Sequence, residues 1–398
     1  MKGVHHVFVS SIVSGPETLV LPNLSRLTER PRIVILRETR ETTEGGVVGD
    51  YARGLGLETS EIPVRSRFDV RTIGLLRDFW TSAPPAIVHA HGPKATLHAA
   101  LARRLVGPSR PLLVTTHHGV RATDRFLKTR AYEKVYEKAI MPFCDLCLTV
   151  CTSDRELLIR RGVPGERLRV HLNGVDRRAV GAAERSALQI KVRRGWARVC
   201  GLEELDGFLI GVVGRLSVEK RHGRILSALS LLAERSPRLG FRLLCFGSGP
   251  LEKELRDLSA RSAIASRVHW MGYRAGVSDE LAGLDLLLSL SNAEGLPINL
   301  IEAGWAGTPV LATGVDGIRD LVEPGVSGVL VEHSADDARV AEEVERLALD
   351  PASAAAMGER LQERVRARFS GSVWLSRLLE LYRDASGTRS SSPNPPTS

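Results

Sequence analysis

No apolar run in the 398-residue chain reaches the length of a membrane-spanning helix. The first ten residues lack the long apolar segment of an export signal and read as a first strand. These two absences point to a cytoplasmic protein, soluble or peripheral on a membrane. Cysteine is scarce, at five. Cys144, Cys147 and Cys151 cluster, but a single Cys-x-x-Cys lacks the second pair of a zinc site. Cys200 and Cys245 have no matching spacing. Apolar neighbours make Cys147 and Cys151 small core residues of a buried strand. No Asp-x-Asp occurs anywhere. No nucleic-acid recognition motif is present, and no basic stretch interleaved with aromatics.

What is present is positive charge, unevenly spread. The net charge is +9. Residues 1–185 carry 29 Lys and Arg against 19 Asp and Glu, and the remainder 26 against 27. A basic first half fits a solvated surface or an acidic partner: anionic lipid, a lipid-linked phosphate acceptor, or nucleic acid. The length fits two domains, each with its own core.

Short apolar runs alternate with helical spacing. Strands are expected at 4–9, 32–36, 86–89, 111–116, 146–150 and 168–172. The first is followed by a small-residue loop, 10–17, and a helix to about Glu29. Gly45 and Gly46 open a loop before a helix carrying Tyr51 and Leu55. Helices follow at 70–80, in the Ala-rich stretch ending at Leu105, and at 126–139. Ser153 and Glu156 read as a capping box. Residues 177–207 are charged and strand-free, a helical connection between domains. Alternation restarts with strands at 208–213, 241–246, 268–271, 284–290, 310–312 and 329–331. Helices are expected at 336–347, 351–369 and 372–385, and the Ser- and Pro-rich end, 386–398, is expected to be disordered. The reading is an α/β protein of two doubly wound Rossmann-like domains, 1–176 and 208–369, with a C-terminal helix over 370–385. Ligands of such sheets bind outside the carboxyl ends of the strands.

Residues 291–310 carry the densest chemistry. Glu294 falls in a loop after a buried strand, and Pro297 marks the first helical position. Glu302 follows about two turns into that helix. The amides near Ile298, Asn299 and Leu300 form a helix N-terminus suited to an anion. Two carboxylates beside an anion hole suit a sugar attached to phosphate, although two solvated acids on a surface loop are the plain alternative. Arg215 and Lys220 lie just past another strand. An Arg grips phosphate oxygens with parallel bonds and a Lys adds a point charge, so the pair can neutralise a diphosphate leaving group. Gly247, in the turn 246–250, is half of a weak nucleotide fingerprint. The backbone of Tyr273 and Arg274 can read a base edge or form a plain turn.

Taken in order, these elements resemble the family-4 class of retaining GT-B glycosyltransferases. They are Gly214-Arg215-Leu216 with Lys220, then Glu294 with Glu302. In the first half, His91 to Ala95, Thr116 to Gly119 and Gly162 to Asp176 resemble loops of members that build extracellular polysaccharide. The resemblance covers nearly the whole chain. It implies a nucleotide-sugar donor, UDP- or GDP-linked, as co-substrate with no other cofactor. Arg215 and Lys220 then hold the diphosphate and Glu302 the ribose hydroxyls. Glu294 lies near the transferred sugar, whose hydroxyls meet the amides of Gly295 and Leu296. His118 matches the histidine that reaches the donor sugar, with His117 an equally basic neighbour. Asn173 falls in a hinge loop. The missing Asp-x-Asp sets the chain apart from metal-dependent glycosyltransferases, so no metal site is expected. The implied acceptor is a glycan or lipid-linked oligosaccharide.

Two departures stand out. Relatives carry a Gly-Gly pair after the first strand. Here Gly15 stands for one of the pair and Pro16 removes an amide donor. Trp305 replaces a smaller residue. The other readings are a sugar-nucleotide epimerase of the same fold and a basic nucleic-acid-binding protein.

Overall fold

The computed structural model describes residues 3–9, 13–38, 47–66, 68–107, 110–119, 134, 136–274 and 276–390. Gly45, Gly46, most of the helix expected at 126–139 and the end of the tail lie outside these. The chain forms two units, Met1–Asn173 with Gly371–Ser398, and Gly174–Ser370.

The first unit holds a seven-stranded sheet in the order β3-β2-β1-β4-β5-β6-β7. The strands are β1 Val4–Phe8, β2 Arg32–Glu38, β3 Thr59–Val64, β4 Ile87–His91, β5 Leu112–His117, β6 Leu146–Thr149 and β7 Leu168–Val170. All pairings are parallel. β1, β4 and β5 are buried along their whole length, as strands covered on both faces must be. Helices Gly15–Ser25, Val47–Gly54, Val70–Ser82, Pro93–Arg104 and Thr152–Arg160 connect them. The core gathers Trp80, Leu76, Ile73, Val34, Val88 and Leu113.

Several sequence expectations shift. β3 was not expected. The first helix ends at Ser25, short of Glu29. The helix assigned a Ser153 cap starts at Thr152 behind Cys151, with no side-chain cap bond, so that capping box is absent. A capping box does form at Ser14, whose N–H and hydroxyl both donate to Glu17 Oε2 at 3.0 and 2.7 Å. The final helix, Gly371–Ser390, runs through part of the segment expected to be disordered. It packs on Gly15–Ser25, and the Trp374 carbonyl accepts a 2.9 Å bond from His171.

The second unit holds a six-stranded parallel sheet, β10-β9-β8-β11-β12-β13. Its strands are β8 Phe208–Val213, β9 Phe241–Phe246, β10 Val268–Gly272, β11 Leu286–Ser289, β12 Val310–Thr313 and β13 Val329–Val331. The segment expected to be a connection supplies the helix Ala182–Cys200, which belongs to this unit. Arg193 pairs with Asp285 at 2.6 Å, Trp196 is 1% exposed, and Gly283 is so close that a Cβ there would lie 2.6 Å from Val192. Trp305 is buried, and its indole N–H is satisfied by the Val175 carbonyl at 2.7 Å.

Candidate functional site

Three loops at the carboxyl ends of β8, β9 and β10 are laced by backbone bonds. Gly214 N–H donates to Phe246 O at 2.9 Å, Leu216 N–H to Ser248 O at 3.0 Å, and Gly247 N–H to Gly272 O at 2.8 Å. The loops cross so closely that a Cβ on Gly247 would sit 1.9 Å from the Gly214 carbonyl oxygen, at a φ of 138°. Gly247 is therefore the residue that lets the β8 loop lie down. The Gly247→Ala variant should lose roughly 3 kcal/mol or more of stability, measured by urea unfolding; an unchanged midpoint would contradict this packing.

Beyond buried Leu216, a single 3-10 turn, Val218–Lys220, leads into the helix His222–Arg235 through Arg221 at a left-handed φ of 52°. That turn aims Lys220 at the loop after β11. Asn292 N–H donates to Glu219 O at 2.8 Å, and Lys220 Nζ is ion-paired with Glu294 Oε1. The same oxygen accepts the Ser291 hydroxyl at 2.7 Å, and Glu294 N–H donates to Asp316 Oδ2 at 3.0 Å. Asp316 itself has a left-handed φ of 39°, and burial raises its carboxyl pKa. Arg215, one loop position before Leu216, is exposed and pairs with no acid among the described residues.

The helix Ile298–Ala306 starts behind Pro297, which occupies the cap position and not the first helical one. Asn299 ties this start to β8: its Nδ2 donates to Val213 O at 2.6 Å. Its Oδ1 takes the Leu300 N–H at 3.0 Å, so of the three amides expected to be free, Leu300 is not. Leu296 is buried and Gly295 half-buried. Glu302 accepts from Arg177 Nε and Nη2, at 3.0 and 2.7 Å, both on Oε1, which leaves Oε2 for another donor. Burial raises the Glu302 pKa and the guanidinium opposes that shift. Tyr273 is exposed, whereas Arg274 pairs with Glu280 at 3.0 Å.

This arrangement has a defined chemical capacity. Lys220 and Glu294 neutralise each other until an anion competes for the ammonium. A phosphoryl oxygen taking Lys220 would free Glu294, still held by Ser291, to accept sugar hydroxyls.

The first unit carries a separate cavity of about 370 Å³ at the ends of β1, β4 and β5. Phe8, Glu17, His91, His117, His118 and Tyr136 line it. Gly15 is exposed at the start of the first helix and is not among the lining residues. His117 and His118 are told apart by their partners. His117 is buried and hydrogen-bonded to Tyr136 Oη at 2.9 Å, and His118 Nε2 lies 3.1 Å from His91 Nδ1. Burial lowers His117 to about 4 and His118 to about 3, so both are neutral near pH 7. His6, His89 and His91 bring ring nitrogens within 4.8 Å of one another, but those rings are engaged in hydrogen bonds. The clustered thiols are buried core residues in no disulfide, and Cys245 is pushed up to about 12 by burial.

Nothing in the sequence pointed to Arg177 or Asp316 in these sites, and Ser291 and His91 stood within noted stretches without a role. Arg177 directly follows Asp176 of a noted loop, but nothing local joins it to Glu302. Replacing Arg177 with Ala should cost roughly 1–3 kcal/mol of stability by leaving the mostly buried Glu302 carboxylate unpaired. Urea unfolding reads this, and an unchanged midpoint would mean that the pair contributes nothing to the fold.

Two doubly wound parallel-sheet units in one chain are the architecture of the GT-B fold. The family model "Glycosyl transferases group 1" matches residues 201–364, and "Glycosyltransferase Family 4" matches 15–178. The chain belongs to this family of glycosyltransferases. It is 30% identical over 248 residues to the "Putative glycosyltransferase EpsF" of Bacillus subtilis, a match covering 62% of this chain and 61% of that one. It is 25% identical over 346 residues to the "UDP-Gal:alpha-D-GlcNAc-diphosphoundecaprenol alpha-1,3-galactosyltransferase" of Escherichia coli, covering 83% and 86%. The crystal structure of Anabaena Alr3699/HepE in complex with UDP and glucose has the same fold. It superposes with a TM-score of 0.79 at 19% identity, covering 96% of this chain and all of that one.

Proposed function

We propose that the protein moves a sugar from a nucleoside diphosphate sugar to a polysaccharide, lipopolysaccharide or lipid-linked oligosaccharide acceptor. Transfer retains anomeric configuration and uses no metal ion. The observation that carries this reading is the contact between Lys220 and Glu294 at the carboxyl ends of β8 and β11, beside a helix N-terminus. The names of the relatives support it: one was crystallised with UDP and glucose, and another carries UDP-Gal and diphosphoundecaprenol in its name.

Arg215 and Lys220 hold the diphosphate, Glu302 Oε2 the ribose, and Glu294 the sugar hydroxyls. The bond from the anomeric carbon to the diphosphate oxygen breaks, and a bond to the acceptor oxygen forms on the same face. The acceptor proton passes to the departing diphosphate. Lys220 and Arg215 stabilise the charge that grows there, a role other enzymes give to a metal ion. His118 hydrogen-bonds a substrate hydroxyl from its cavity.

Incubation with radiolabelled UDP- and GDP-sugars tests the reading. The expected products are a glycosylated acceptor, or slow donor hydrolysis, with free nucleoside diphosphate; turnover should survive a chelator. An epimerised nucleotide sugar with no free diphosphate would instead identify an epimerase. Among the described residues no helix is long and apolar enough to cross a membrane. The basic first half is proposed to dock on an anionic bilayer, at the cytoplasmic face. Binding to phosphatidylglycerol vesicles should fall as salt rises. Binding indifferent to anionic lipid would remove that part.

A further inference from the structure

Four histidines, one tyrosine and one threonine of the first unit form a continuous hydrogen-bonded chain. It begins at His118 in the cavity, whose Nε2 is 3.1 Å from His91 Nδ1. His91 Nε2 is 2.9 Å from His6 Nδ1. His6 Nε2 is 3.3 Å from Tyr382 Oη, on the C-terminal helix. Tyr382 Oη is 2.6 Å from His89 Nδ1, and His89 Nε2 is 2.6 Å from Thr116 Oγ1. Parallel register assembles it: His6 sits opposite His89 and His91 opposite Thr116. All of these side chains except His118 are buried, and burial holds the imidazoles neutral at pH 7.

A neutral imidazole has one N–H and one lone pair, so a bond at one nitrogen dictates what the other presents. The rings from His6 to His118 must therefore all point one way or all the other. The distances at Tyr382 choose between the two, because a hydroxyl donor makes a shorter bond than a ring N–H. The bond between Tyr382 Oη and His6 Nε2 is long, at 3.3 Å, so His6 Nε2–H donates to the hydroxyl there. His89 has 2.6 Å bonds to both Tyr382 and Thr116 and one N–H to share between them, so its tautomer is independent of the His118 branch. It follows that His6 Nδ1 accepts from His91 Nε2–H, and His91 Nδ1 accepts from His118 Nε2–H. His118 Nδ1 is left with a lone pair.

We propose that His91, His6 and Tyr382 are positioning residues that fix His118 as the Nε2–H tautomer, so that its Nδ1 accepts a hydrogen bond from a substrate hydroxyl. The last part rests on the transferase reading above; the tautomer does not. The relay gives the C-terminal helix a role in the site.

Long-range proton–nitrogen spectra of the full chain labelled with ¹⁵N-histidine at pH 7 read the tautomers directly. His118, His91 and His6 should each appear as a single Nε2–H tautomer. An Nδ1–H or mixed His118 in the wild type would overturn the relay without any variant being made. In Tyr382→Phe, which keeps the ring and loses the hydroxyl, His118 should become a tautomer mixture. An unchanged His118 signal there would also overturn it. Kinetically, Tyr382→Phe should lower kcat about tenfold with KM unchanged, and less than about twofold on a His118→Ala background. Equal losses on both backgrounds would overturn the coupling. Full turnover in His118→Ala alone would instead remove the substrate-hydroxyl reading and leave the spectra to judge the relay.

Discussion

Replacing Lys220 with alanine is expected to lower turnover about a hundredfold to a thousandfold, with the fold intact. In the proposed transfer the charge it supplies is needed most when the sugar–phosphate bond breaks, so the loss should appear in kcat as well as in donor binding. The structural cost is smaller. Lys220 and Glu294 are mostly buried side chains, 22% and 12% exposed, and removing the ammonium leaves the carboxylate with Ser291 as its remaining partner. That should cost roughly 1–2 kcal/mol of stability. Steady-state kinetics beside a thermal melt separates the two effects. Near-normal turnover would show that Lys220 is an ion-pair anchor for the β11 loop and nothing more.

The second large effect is acid sensitivity of the first unit. Burial lowers His5, His117 and His171 to about 4, and His6 and His118 to about 3. Their unfolded value is about 6.5. Folded-state values below the unfolded one mean that the unfolded chain binds more protons in acid. The stability from keeping these rings neutral is complete above pH 6.5 and is lost as pH falls towards 3–4. At pH 5 each contributes a loss on the order of 1–2 kcal/mol, and five together approach the stability of a domain. Melting temperature should fall steeply between pH 6.5 and 5, with hydrogen exchange rising first in peptides of β1, β4 and β5. A flat melting temperature over that range would mean the rings are solvated or already charged.

Much of the fold was legible because parallel strands buried on both faces read as plain apolar runs, as at 208–213 and 241–246. β3 escaped because Thr59–Val64 holds few apolar residues and a proline, Pro63. A proline is tolerated there because β3 lies at the sheet edge. The Gly214 to Lys220 and Glu294 to Glu302 segments were readable as chemistry, since their spacing is local. Arg177 with Glu302 was not, being a contact 125 residues apart. The histidine chain was hidden for the same reason. His6, His89, His91 and His118 sit on or beside three strands, and only sheet order and register bring them together. Nothing in the Ser- and Arg-rich C-terminal sequence announced that Tyr382 would join them.

Calorimetric titration of UDP and GDP into the full-length wild type and its Lys220→Ala variant tests the central claim most directly. A nucleoside diphosphate should bind the wild type and lose at least tenfold in affinity when the ammonium is removed. Equal affinity for both proteins would place the diphosphate elsewhere and contradict the account.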